Sequence, residues 1–236
     1  MKSASDLMNE IRERIQSLES SLPQHLDAMA VSETAKLPWK ALFYREALIW
    51  RMAELSCSAF ENFEKDRLVS AIVLTRAATE TFAVLWYLWH KITAAVESNS
   101  VRDIDTDLMS LISGTRIPND PIFPQAMQIL TVIDKLDKKE KFEGAFRHQY
   151  DVLCEFTHPN AAGTTQSYLQ HNREQLTTEF GRNSRTSENT RMIGLISLSG
   201  SLSMFEQKYN CIADLLPAFI ALCENSLTNR RIGPDL

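Results

Sequence analysis

The sequence predicts an all-α fold: a single up-down helical bundle with an extra N-terminal helix. Three observations point there. Seven glycines in 236 residues is about 3%, against the ~7% of ordinary globular chains, and strand-rich folds need glycine at their many tight turns. Apolar residues recur at three- and four-residue steps through most of the chain, which is the helical period. Leu68 to Trp89 is apolar on nearly every side, with Arg76 and Glu80 as its only charges. That is the pattern of a helix buried all round.

Residues 3–20 place Leu7, Ile11, Ile15 and Leu18 on one stripe, an amphipathic helix. A second short helix is expected between Pro23 and Pro38, and residues 1–37 form an N-terminal helical extension. The bundle domain, 38–236, opens with a helix from Pro38 to Glu64 carrying Leu42, Leu48, Ile49, Met52, Leu55, Ala59 and Phe63 at helical spacing. Charged residues around Lys65 and Arg67 mark a tight turn, so the next helix, Leu68 to Val96, should run antiparallel to it. Residues 99–124 hold Gly114, Pro118, Pro121 and Pro124 and form an irregular connection with one helical piece at Asp105–Ser113. Helices are expected at 125–137 and 141–157. Pro159 disfavours helical geometry at His158 and stops the second of these. The polar segment 160–190 reads as loop with one short helix near 165–179. A long helix, 191–227, closes the bundle, with Pro217 as a kink and Gly194 and Gly200 as close helix contacts.

Composition excludes several function classes. A net charge of −5 argues against broad electrostatic binding to nucleic acid. Cys57, Cys154, Cys211 and Cys223 lie far apart in apolar helical contexts, where a free thiol acts as a small hydrophobe. That usage suits a reducing cytoplasm. The N-terminus is charged and amphipathic, without the apolar core of a signal peptide. Arg76 and Glu80, with Thr75, Thr79 and Thr81, fall near the middle of the Leu68–Trp89 run. Central charges cost a membrane span several kcal/mol, so no membrane association is expected. No phosphate-cradling glycine loop, nucleophile elbow, zinc-type Cys/His set or Rossmann fingerprint is present.

Three residues stand out as site candidates: Arg76, Glu80 and His158. Arg76 and Glu80 stand four apart on one helix face, and buried charges are tolerated only when paired and hydrogen-bonded. They are either an internal salt bridge that fixes helix register or a ligand-binding or catalytic pair. His158 ends its helix, where the dipole favours imidazolium, and its ordinary pKa near 6.5 suits acid–base work. It serves either that role or, through Pro159-Asn160, as a cap on the turn. Taking about 100° per residue, His148, Asp151, Glu155 and His158 share one face that could hold a metal. Glu155 and His158 have the E-x-x-H spacing of helical di-iron sites, but no second E-x-x-H exists here, and a solvated polar face explains them better. Trp86, Tyr87 and Trp89, with His90 beside them, could stack a nucleobase or form a plain apolar interface. Arg182, Arg185 and Arg191 offer the one basic patch, largely cancelled by Glu174, Glu179 and Glu188.

Two sections resemble a group of bacterial helical proteins similar to the HEPN superfamily of four- to five-helix bundles. One runs from Phe43-Tyr44-Arg45-Glu46 through Ser70-Ala71 to Arg76-Ala77-Ala78-Thr79-Glu80. The other is Tyr150-Asp151-Val152-Leu153-Cys154-Glu155-Phe156-Thr157-His158-Pro159-Asn160. The resemblance covers roughly residues 38–163. It implies a dimer and, for the members that are metal-independent ribonucleases, an Arg-x(4–6)-His motif at the dimer cleft. There the His moves protons and the Arg holds the phosphate. In this chain none of His25, His90, His148, His158 or His171 has an arginine at that spacing, so Arg76 would have to supply the charge to His158.

Three functional readings follow. In the first, a non-enzymatic interaction or regulatory protein uses Arg76, Glu80 and His158 to fix the fold or a small pocket. In the second, a HEPN-like ribonuclease of the toxin–antitoxin or phage-defence kind uses His158 and Arg76, with Glu80 orienting one of them. In the third, a metal-dependent helical enzyme works through His148, Asp151, Glu155 and His158. The first two need no cofactor and no metal. Apolar stripes on the terminal helices predict a homodimer, with a protein partner or RNA as further partners.

Overall fold

The computed structural model describes residues 2–101, 103–182 and 187–232, and the fold is all-α apart from one small hairpin. Helix α1 (Ala4–Ser20) starts at a capping box: Ser3 accepts from the Asp6 amide while Asp6 bonds back to Ser3, satisfying two end groups at once. A short helix, α2 (Ala28–Val31), is capped by Asp27. Helix α3 (Lys36–Glu64) begins two residues before Pro38. A proline in the first turn forfeits an N–H that has no helical partner there, so it starts the helix without breaking it. The chain reverses over residues 65–67 into α4 (Leu68–Ser98), which ends on Asn99 in the left-handed conformation.

Further along come α5 (Ile104–Ile112), α6 (Ile129–Lys139) and α7 (Ala145–Thr157). Asp137, buried at the end of α6, accepts from the amides of Gly144 and Arg147. It thereby caps α7 from another helix, a job the sequence around Gly144 cannot do. Thr157 ends α7 as expected, with His158 held extended (ψ 150) before Pro159.

After a π-helical turn at 161–165 and the single turn α8 (Gln166–Tyr168), the helix expected over 165–179 is replaced. Strands β1 (Leu169–Asn172) and β2 (Thr177–Phe180) pair antiparallel, Leu169 opposite Phe180. The signals were local. Asn172 takes the amides of Glu174 and Gln175 to set the turn, Leu176 is left-handed (φ 49), and Thr177-Thr178 is β-branched. Helix α9 (Ser187–Ile232) then runs unbroken through Pro217.

Side-chain pairings give the directions. Phe82 meets Phe146 and Arg76 meets Tyr150, so α7 is antiparallel to α4. Thr79 bonds Ser201 and Lys208 covers Trp89, so α9 is parallel to α4. Helices α3, α4, α7 and α9 thus alternate up, down, up, down, with α4 in the middle. Leu7, Ile11, Ile15 and Leu18 join α1 to the same core. Gly194 is a true close contact, since a Cβ there would lie 2.6 Å from the Phe63 ring. Gly200 is not, for its nearest neighbour stands 4.0 Å away. Helices α4 and α9 are both long and apolar enough to cross a membrane; 56% of the most apolar window of α4 is buried in the bundle, but 17% of that of α9.

Candidate functional site

Arg76 and Glu80 pair with each other as expected, but half-buried rather than sealed in the core, and through a third residue. Helical spacing brings Arg76 Nη2 within 2.8 Å of Glu80 Oε1. Tyr150, 1% exposed on α7, inserts its hydroxyl between them. It donates to Glu80 Oε1 at 2.7 Å and accepts from Arg76 Nη2 at 2.8 Å and Nε at 3.2 Å. Burial pushes the Tyr150 phenol well above its ordinary pKa, and the bond to Glu80 adds to that. Burial works against the charge on Arg76, yet Tyr150 and Glu80 outweigh it and leave its pKa raised. The neutral phenol therefore bridges the ion pair and locks α4 to α7.

His158 stands apart from this triad. It lies eight residues beyond Tyr150 on α7, about 12 Å along the helix axis, with an exposed side chain. Among the described residues no hydrogen bond or ion pair joins it to Arg76 or Glu80. The capping considered for His158 is made by its neighbour: Asn160 accepts from the Gly163 amide and donates to Glu155. His158 contributes its backbone, against which Gly163 packs so closely that a Cβ would lie 2.1 Å from the His158 carbonyl oxygen.

The metal reading finds no geometry. Among the described residues no group of three His, Cys, Asp or Glu could hold an ion. Asp151 is tied to Arg147 and Glu155 to Asn160. Nor is the aromatic run a stacking platform. Trp86 and Tyr87 are buried; Trp86 stacks on His90 at 5.2 Å and donates to Glu140 at 2.6 Å. Lys208 sits 3.6 Å over Trp89. Burial lowers the His90 pKa, helped by Lys139, Lys91 and Lys135. Of the basic patch, Arg191 binds the Phe63 carbonyl and Asp66, Arg182 is exposed, and Arg185 lies outside the described residues.

Sequence reasoning missed a second cluster of the same three residue types. Arg45, 7% exposed, pairs with Glu46, and both engage Tyr209 of α9. The Arg45 guanidinium lies 3.4 Å over the Tyr209 ring and donates to the Tyr209 carbonyl at 3.0 Å, while the Tyr209 hydroxyl donates to Glu46. Adjacent residues on a helix do not face one another, so nothing in the spacing advertised this pair.

Glu80 also lines a cavity of about 390 Å³ between α3, α4 and the 113–128 connection, with Tyr44, Arg51, Thr81 and Arg116 among its other walls. Arg51 is held by Nε donating to Thr81 Oγ1 at 3.1 Å. Comparison with known proteins gives no match, whether to a family model, to a curated protein or to a solved structure.

Proposed function

We propose that this chain is a HEPN-like, non-enzymatic interaction or regulatory protein of the cytoplasm, in which Arg76, Glu80 and Tyr150 hold the bundle and shape one wall of a small binding cleft. The observation that carries the reading is the bridging Tyr150 hydroxyl. It occupies Arg76 Nε and Nη2 together with Glu80 Oε1, so Arg76 would have to abandon a buried partner to hold a scissile phosphate. The exposed His158, two helical turns away, lacks the arginine that ribonuclease chemistry asks of it. A homodimer is part of the proposal and is supported by the long apolar stretch of α9, little of which is covered.

The deciding experiment incubates purified protein with single-stranded and structured RNA beside a His158→Ala control. The expected result is no cleavage above background by either protein. Cleavage by the natural chain that disappears in His158→Ala would overturn the reading and install the ribonuclease in its place. Light scattering checks the dimer separately.

A further inference from the structure

The cleft beside Glu80 has features that the structural role of the triad does not use. Its volume, about 390 Å³, falls within the ~300–1,000 Å³ of small-molecule sites. Leu48, Val84 and Met127 give it an apolar floor. Two guanidinium groups reach it, from Arg51 and Arg116, and among the described residues neither is paired with a carboxylate. Six other described arginines each hold one, whereas Arg67, Arg173 and Arg182, outside the cleft, do not.

The Arg51 side chain is held from behind, and the loop that carries Arg116 is pinned at its base. Thr81 orients Arg51 through Nε, and among the described residues its terminal nitrogens make no hydrogen bond. Arg116 sits in a loop whose base is pinned by Thr115 donating to the Pro124 carbonyl and Ala126 donating to the Thr115 carbonyl, at 2.9 and 2.8 Å. Gly114 permits that closure, since a Cβ there would lie 2.7 Å from the Ala126 Cα. The same cleft carries the Tyr44 hydroxyl, which has no hydrogen-bond partner among the described residues, and whose pKa burial pushes up to about 12. It stays a neutral donor at every physiological pH.

We propose that this cleft binds a small organic anion, its flat apolar body on Leu48, Val84 and Met127 and its carboxylate or phosphate between Arg51 and Arg116. Tyr44 supplies a further donor. Glu80, already neutralised by Arg76, keeps Oε2 for an N–H or O–H on the ligand body and repels a second anionic group from that wall. Paired N–H donors recognise either head group, and the apolar floor selects against bare inorganic anions. This deepens the binding role proposed above by naming a ligand class.

The test uses three probes that share one ring system: 2-naphthoate, 2-naphthyl phosphate and neutral 2-naphthol, titrated into the full chain by calorimetry and followed by amide NMR. At least one anion is expected to bind and to shift the amides of Thr81, Gly114 and Ala126. The preferred anion identifies the head group. Arg51→Gln and Arg116→Gln should each weaken binding about tenfold, the worth of one charge-assisted hydrogen bond, with unchanged circular dichroism. Arg116 is exposed on the loop, so its variant tests the site even if Arg51→Gln fails to fold. Failure of both anions to bind, equal binding of 2-naphthol, or indifference to both substitutions would overturn the proposal. RNA cleavage lost in His158→Ala would sink the regulatory reading alone and leave the titration to judge the cleft.

Discussion

Two Arg–Glu–Tyr clusters sit in one bundle and do different things. Arg45, Glu46 and Tyr209 lock α3 to α9, with the two charged side chains 9% and 15% exposed. Arg76, Glu80 and Tyr150 lock α4 to α7, with theirs 28% and 24% exposed. In the first, the guanidinium is flat on the ring and the backbone carbonyl takes its remaining donors. In the second, the ring stands further off, 5.3 Å from the guanidinium carbon, and Glu80 lines the cleft. The difference teaches that identical side-chain chemistry becomes a sealed fastener or the wall of a site according to how much water its surroundings admit.

The largest effect is expected at the sealed cluster. Arg45→Ala strands Glu46 in a nearly dry site, and removing one partner of a buried pair costs about 3–5 kcal/mol. Thermal unfolding should show this as a Tm lower by roughly 6–20 °C in a chain of this length. Next comes Gly114→Ala at the open cluster's cleft. Its Cβ meets backbone at Ser110 and Ala126, an overpacking cost of about 1–3 kcal/mol, and the distorted rim should weaken naphthoate or naphthyl phosphate binding several-fold by calorimetry.

Arg76→Ala should cost less than Arg45→Ala, about 1–2 kcal/mol in urea unfolding, because water reaches Glu80 and compensates part of the loss. If the two alanine variants were equally damaging, the distinction between sealed and open clusters would collapse. A further effect concerns pH. A phenol whose pKa is raised in the folded state stabilises fully below its ordinary value near 10, and that contribution is lost as pH rises toward the folded value. For Tyr44 the window runs from about pH 10 to about 12. The urea midpoint should therefore fall between pH 9 and pH 11, and Tyr44→Phe should flatten part of the fall. Tyr87, Tyr150, Tyr209 and Cys223, whose pKa values burial also raises, add to the fall.

The helical period of the main elements, the stop at Pro159, the turn between α3 and α4, and the pairing of Arg76 with Glu80 were all legible in the chain. All of these depend on residues within a few positions of one another, where backbone geometry alone decides which side chains meet. The hairpin at 169–180 was local too, but its cue lay in an Asn-set turn that a helical reading passes over. Four contacts were not legible: Tyr150 bridging Arg76 and Glu80, Asp137 capping α7, Arg45 and Glu46 sharing Tyr209, and Arg51 and Arg116 lining one cleft. Each joins residues distant in sequence through the crossing of two helices or the folding back of a loop. Such crossings are set by the packing of the whole core, so no short window of sequence contains them.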